Sequence, residues 1–130
     1  MIRFHHVGVA VKSIEHSVEF LKNLGTTDGF STIVVDDRQN VKLAIGKWNG
    51  LTIELVEGIG EKNPVAGWLK REVALYHLCF ETDNFDGIVN ELAKGDYILV
   101  SLPMPSRLFD EKRIAFFMTE LGFLIEILEV

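Results

Sequence analysis

Residues Phe4 to Leu24 read FHHVGVAVKSIEHSVEFLKNL, a strand pattern followed at once by a helix pattern. The run from Phe4 to Val11 predicts a short strand. From Ser13 onward, apolar residues recur at helical spacing, and Gly25 ends the run. This strand and helix start the first of two similar halves.

The remaining elements repeat in the same order. Three strands follow the first helix, so that the first half reads β-α-β-β-β. A polar connector and a short helix over 64–71, started by Pro64, lead into the second half. The predicted strands are 4–11, 30–35, 41–45, 51–56, 73–81, 97–102, 113–119 and 123–128. The first main helix is predicted over 13–24, and the second is capped by Asp83 or Asn84 and ends near Gly95. Pro103-Met104-Pro105 is expected to open a long loop.

An offset of 71 residues aligns His6 with His77 and Ile14 with Phe85, which indicates a duplicated half-domain. Halves of this size are marginal alone and are expected to pack together. The sequence therefore predicts an α+β fold in which two tandem β-α-β-β-β modules form one curled mixed sheet around a central cavity. The expected single domain covers 1–130, with module 1 at about 1–57, a connector at 58–72 and module 2 at about 73–130.

Composition excludes several classes of function. The 130 residues carry a net charge of −6, so no overall positive field attracts nucleic acid or an anionic membrane. No apolar stretch is long enough to span a bilayer, and the N-terminus lacks a signal-peptide core. The single cysteine fits a reducing compartment, which makes the cytoplasm the expected location. The expected partner is a small-molecule substrate.

Four residues stand in an unusual setting. His6 and His77 lie early in the first strand of each half, and Glu54 and Glu126 lie in the last strand. Alternation directs both carboxylates toward apolar neighbours, where an unpaired charge is costly. A divalent ion such as Zn, Ni, Co, Mn or Fe would satisfy all four residues, and the lack of a cysteine pair favours an open site. A set of hydrogen-bonded sheet residues without metal is the alternative.

Other polar residues are expected to lie outside the site. His5 should point to the opposite face from His6, and His16 falls on the polar side of the first helix. Cys79 is expected to be a small buried hydrophobe. Glu57 and Glu129 fall on the other face from the proposed ligands and are expected to be solvated.

Four strands carry a family resemblance. The runs HVGVAV from His6, IELVE from Ile53, YHLCFE from Tyr76 and LIEILE from Leu124 resemble the metal-site strands of the vicinal oxygen chelate superfamily. This superfamily includes glyoxalase I, bleomycin-resistance proteins, extradiol dioxygenases and methylmalonyl-CoA epimerase. The run NPVAGWL from Asn63 resembles the connector helix of the epimerases, so the similarity is greatest to epimerase-like members.

The resemblance implies that His6, Glu54, His77 and Glu126 bind a divalent metal and that Glu126 also transfers protons. It implies a metal-dependent lyase, isomerase or epimerase that acts next to the carbonyl of a small acid or acyl thioester. It also implies that the protein can form a homodimer. Two alternatives are a ligand-sequestering protein of the bleomycin-resistance kind and an extradiol-type dioxygenase. One departure bears on the reaction: Arg38 stands where these epimerases have a proton-transferring acid, and Asp37 lies one residue earlier.

Overall fold

The computed structural model describes residues 1–25 and 27–130 and contains nine strands and three helices among them. The strands are β1 (Ile2–Val11), β2 (Thr27–Phe30), β3 (Val34–Asp36), β4 (Val41–Trp48), β5 (Leu51–Gly58), β6 (Leu75–Thr82), β7 (Ile98–Ser106), β8 (Lys112–Met118) and β9 (Leu124–Glu129). The helices are α1 (Ile14–Asn23), α2 (Ala66–Lys70) and α3 (Phe85–Lys94). The element types are the predicted ones, and the α+β class is confirmed.

The chain divides into two compact units. A continuous unit spans Val7–Tyr76, and a split unit combines Met1–His6 with His77–Val130. The first six residues, which include the start of β1, therefore group with the second half of the chain. This grouping brings His6 into the same unit as His77 and Glu126.

In the continuous unit, β4 lies between β5 and the edge strands β2 and β3, and the second half of β1 follows β5. β1 runs parallel to β5, with Val7 opposite Ile53, whereas β4 pairs antiparallel with β5. α1 begins after Ser13, whose hydroxyl accepts the backbone N–H of His16 at 3.2 Å. The apolar face of α1 packs on one face of these strands, in a cluster of Ile14, Ala44, Ile53 and Leu55.

In the split unit, β9 lies between β6 and β8, and β7 pairs with the far side of β8. β6 and β9 are parallel, with Cys79 opposite Glu126, and the other pairings are antiparallel. α3 covers one face of these strands. The buried core on that face comprises Phe85, Val89, Ala115, Phe117 and Ile127.

The predicted strand over 30–35 is interrupted. β2 ends at Phe30 and β3 begins at Val34. Between them, the hydroxyl of Ser31 accepts the backbone N–H of Ile45 at 3.0 Å. A side chain thus takes a ladder position that a backbone carbonyl would fill in a continuous strand.

The expected loop opening at Pro103 is wrong, because β7 continues through this segment to Ser106. Proline has no N–H to donate, so it is tolerated in a strand at an edge or beside an irregularity. β7 lies at the end of the strand order and its pairing with β8 shifts register before and after Ser101. Within the described part of the chain, no helix is long and apolar enough to cross a membrane.

Candidate metal centre

His77 and Glu126 are brought together by the parallel pairing of β6 and β9. His77 lies opposite Leu124 and Cys79 lies opposite Glu126, so both functional side chains point to one face of the pair. Ile125 and Ile127, on either side of Glu126, point to the other face, where they pack beneath α3. Side chains alternate between the two faces of a strand, so Glu126 points away from the core beneath α3.

His6, near the start of the chain, completes a compact trio with these two residues. Its Nε2 lies 3.1 Å from His77 Nε2 and 3.3 Å from Glu126 Oε2, and His77 Nε2 lies 3.0 Å from the same Oε2. The side chains of all three residues are at most 1% exposed. Three electron-rich atoms thus converge on one point that bulk water does not reach.

When Glu126 is ionised, protons on the two histidines leave an unfavourable contact in this triangle of atoms. If both histidines carry their proton on Nε2, the two N–H groups face each other across 3.1 Å. If either nitrogen lacks its proton, its lone pair faces the carboxylate oxygen of Glu126. Each arrangement leaves one repulsive contact in a buried site, where unsatisfied polar groups are costly.

A single cation at the centre would attract all three atoms at once. Ligand atoms at right angles around an ion, each about 2.1 Å from it, are separated by about 3.0 Å. The three observed separations of 3.0–3.3 Å are close to this value. Two imidazoles and a carboxylate are a suitable donor set for Zn, Ni, Co, Mn or Fe(II). His6, His77 and Glu126 could therefore hold a divalent ion together.

The electrostatics of Glu126 agree with a charged carboxylate at this position. Burial raises the pKa of Glu126, but its contacts with His6 and His77 lower the pKa by more, to well below the ordinary value. The carboxylate is therefore ionised at neutral pH and offers a negative charge to a cation.

Glu54, the fourth ligand expected from the sequence, belongs to the continuous unit. It lies on β5, is 4% exposed, and pairs with Gly8 of β1. Ile53 and Leu55 on either side of it join the cluster under α1. Glu54 thus points away from the helix, and it is buried together with Val56 on its own face.

His5, which was expected to be structural or exposed, contacts a residue of the site. His5 Nδ1 lies 2.8 Å from Nδ1 of His6. Strand alternation does send neighbouring side chains to opposite faces, but Nδ1 branches close to the backbone, where adjacent rings can still meet. In the sequence, the adjacency of His5 and His6 was the one feature that indicated this contact. The alternation of side chains along a strand argued against it.

Phe109 also contacts the site and was not singled out by the sequence. Its ring stacks on that of His6 with centroids 5.6 Å apart and meets the ring of His5 edge-on at 5.5 Å. Phe109 lies in the turn between β7 and β8, where no periodic pattern marks its direction.

Other sequence expectations about the surroundings hold. Cys79 is fully buried and packs with Ile114 and Leu128, as expected of a small hydrophobe. His16 is exposed on α1. At the turn after β3, Asp37 and Arg38 are exposed.

The buried acid of that turn is Asp36. It is 0% exposed, and its carboxylate accepts the backbone N–H of Arg38 at 3.2 Å and the side-chain amide of Gln39 at 2.8 Å. These contacts are typical of an acid that stabilises a turn.

Comparison with known families agrees with this arrangement. The family model described as the glyoxalase/bleomycin resistance protein/dioxygenase superfamily matches residues 5–116. The chain belongs to this superfamily. Within the superfamily, the chain is 28% identical over 94 residues to the human protein named methylmalonyl-CoA epimerase, mitochondrial. The aligned residues make up 71% of this chain and 53% of the human protein. The superfamily member described here thus spans about half the length of the curated relatives it matches.

Solved structures of superfamily members resemble the whole chain. A methylmalonyl-CoA epimerase from Streptomyces coelicolor, in complex with 2-nitronate-propionyl-CoA, is 25% identical, with a TM-score of 0.79 over 98% of this chain and 93% of that chain. The epimerase from Mycobacterium tuberculosis gives a TM-score of 0.81 at 21% identity, over 98% of this chain and 87% of that chain, and this likeness shows the fold alone. The vicinal oxygen chelate fold expected from the four strand motifs is thereby confirmed.

Proposed function

We propose that this protein is a divalent-metal-dependent enzyme that transfers a proton next to the carbonyl of a small acid or acyl thioester. Epimerisation is the reaction favoured among those of the superfamily. The curated relatives carry the name methylmalonyl-CoA epimerase, so an acyl-CoA thioester is the first substrate class to test.

The observation that carries this proposal is the triangle of His6, His77 and Glu126. A cation there would contact three buried ligand atoms that lie 3.0–3.3 Å from one another. When bound, such an ion acts as a Lewis acid that stabilises negative charge developing on a substrate oxygen. The three side chains are buried, which supports a role in binding an ion rather than a solvated position on the surface.

Glu54 is proposed as the fourth ligand. It pairs with Gly8 on β1, and His6 precedes Gly8 by two residues on that strand, so the period of two gives both the same facing direction. A buried carboxylate needs a partner of opposite charge or a proton. A bound divalent ion is one such partner.

Glu126 is proposed as the residue that takes and returns the proton. It is ionised at neutral pH, and a carboxylate has two oxygens, so one can face the ion while the other accepts a proton from the substrate. The turn acid Asp36 is a weaker candidate, because its carboxylate already accepts the N–H groups of Arg38 and Gln39. Arg38 itself cannot serve as a base at neutral pH.

The experiment that tests this function is solvent deuterium exchange. The purified protein, loaded with Co²⁺, is incubated in D₂O with methylmalonyl-CoA and, separately, with 2-hydroxyacyl thioesters. We expect deuterium to enter the α-carbon of at least one probe, and Glu126→Gln to abolish this exchange. Glu129→Gln, on the same strand but on the surface, should exchange as the wild type does.

The alternative functions give different outcomes in the same experiment. Tight binding of a probe without exchange would overturn the enzymatic proposal in favour of sequestration. Exchange that is unchanged in Glu126→Gln would retain the enzyme and overturn the role given to this carboxylate.

A further inference from the structure

Both nitrogens of the His6 ring are engaged. Nε2 faces His77 and Glu126, and Nδ1 lies 2.8 Å from Nδ1 of His5. The two adjacent rings cross at 80° with centroids 5.1 Å apart. His5 is partly exposed, whereas His6 is fully buried.

The contact between the two Nδ1 atoms requires a proton on one of them. If His6 donates, its Nδ1 carries the proton and its Nε2 keeps a lone pair directed at the trio. If His5 donates, a neutral His6 carries its proton on Nε2, where it occupies the position that a cation needs. Only the tautomer in which His5 accepts is compatible with an ion bound through His6 Nε2.

Phe109 restricts the ring of His6 from another side. The rings of Phe109 and His6 are nearly parallel, at 25°, and Phe109 meets His5 at 89°. The turn that carries Phe109 is closed by backbone hydrogen bonds from Phe109 to Ser106 and from Lys112 to Phe109. A ring packed on one face and bonded at Nδ1 has little freedom to turn its Nε2 away.

We propose that His5 is a positioning residue for the metal centre. It accepts the Nδ1–H of His6 and so holds His6 with its Nε2 lone pair toward His77 and Glu126. This inference rests on the proposed function, since it assumes an ion at the trio. Metal-binding histidines commonly donate their second N–H to a carboxylate, a carbonyl or water. Here the acceptor is a neutral imidazole, which lends less negative charge to the ligand than a carboxylate does.

A second arrangement of the same residues competes with this one. Ligand atoms of His5, His6 and Cys79 all lie within 4.8 Å of one another and could hold a separate ion. The 2.8 Å between the two Nδ1 atoms favours the hydrogen bond, because two ligands at right angles on one ion lie about 3.0 Å or more apart. Binding of a second ion that depends on Cys79 is therefore an outcome of the test.

The test compares two variants of His5. In His5→Asn the side-chain oxygen branches at the position of Nδ1 and can still accept the proton, whereas His5→Leu removes the acceptor. The protonated nitrogen of His6 is identified by ¹⁵N NMR in the metal-free protein, and Co²⁺ affinity is measured by competition with a chromophoric chelator. His16→Leu, which replaces an exposed histidine on α1, is the matched control.

We expect His6 to carry its proton on Nδ1 in the wild type and in His5→Asn, and to lose this preference in His5→Leu. The Co²⁺ affinity of His5→Leu should fall about 10- to 100-fold, as is typical when such a partner is removed. His5→Asn should retain most of the affinity, and His16→Leu should match the wild type. A structural role alone would not be rescued by asparagine.

Three results would overturn the inference: a wild-type His6 protonated on Nε2 in the metal-free protein, an unchanged Co²⁺ affinity in His5→Leu, or a second Co²⁺ that is lost in Cys79→Ser. A wild type that binds no Co²⁺ but has the His6 proton on Nδ1 would overturn the proposed function and confirm the hydrogen bond to His5. The two failures are thus distinguishable.

Discussion

The Nε2 atoms of His6 and His77 lie 3.1 Å apart, although 71 residues separate the two histidines in the chain. Glu126 Oε2 lies 3.3 Å from the first of these nitrogens and 3.0 Å from the second, so three ligand atoms share one buried site. The fold supplies this proximity by grouping the first six residues with the second half of the chain.

Replacing Glu54 should weaken metal binding without unfolding the protein. We expect Glu54→Gln to lower Co²⁺ affinity by at least about tenfold, because a carboxylate ligand is exchanged for a neutral amide. The measurement is competition with a chromophoric chelator. Glu57→Gln on the same strand is the control, since Glu57 points to the other face and accepts the backbone N–H of Ile14. Equal affinities in the two variants would remove Glu54 from the ligand set.

The ion pair of Glu129 should make a pH-dependent contribution to stability. Arg113 donates to both oxygens of the Glu129 carboxylate, and this hydrogen bonding lowers the pKa of Glu129 below its ordinary value. A lowered folded-state pKa adds stability above the unfolded pKa, and this stability is lost as pH falls through the folded pKa.

Glu129→Gln should therefore be modestly less stable than the wild type at pH 7, and the difference should shrink at an acidic pH below the lowered folded-state pKa of Glu129. Urea unfolding at both pH values measures it, and Glu120→Gln, an exposed acid, serves as the control. A difference that persists at low pH would show that the stabilisation does not come from the charge of Glu129.

The turn that holds Phe109 against His6 contains strained backbone. Asp110 and Glu111 have consecutive positive φ angles of 55° and 65°. A left-handed conformation costs a residue with a Cβ about 1–2 kcal/mol, and glycine forfeits about 0.5–1 kcal/mol of this in unfolded-state entropy. Glu111→Gly should thus stabilise the protein by about 0.5–1 kcal/mol in urea unfolding. Glu111→Ala, which keeps the Cβ, should give no gain, and an equal gain in both variants would contradict the assignment of strain.

The position of Glu126 could be predicted because it follows from strand alternation. In the run from Phe123 to Leu128, one charged residue interrupts an apolar pattern. The structure packs the partly buried Ile125 and the buried Ile127 on one face and buries Glu126 on the other. The pairing of His6 with His77 likewise followed from the internal offset. Both inferences depend on patterns that the sequence carries directly.

The contacts of individual side chains could not be predicted in the same way. Glu57 and Glu129 were expected to be solvated, but Glu57 accepts the N–H of Ile14 and Glu129 binds Arg113. These contacts depend on how α1 and β8 pack against neighbouring strands, which periodicity does not specify. The contact of His5 with His6 depends on side-chain rotamers and was missed for the same reason.

Whether His6, His77 and Glu126 hold a divalent ion is tested most simply by the metal content of the protein after loading with Co²⁺ and dialysis. The retained metal is measured by elemental mass spectrometry. The wild type is predicted to retain one ion per chain, and His77→Ala and Glu126→Gln are predicted to retain almost none, while Glu129→Gln behaves as the wild type. A metal centre at these residues would be contradicted if the wild type retained no divalent ion under any loading condition. It would also be contradicted if Glu126→Gln retained as much metal as the wild type.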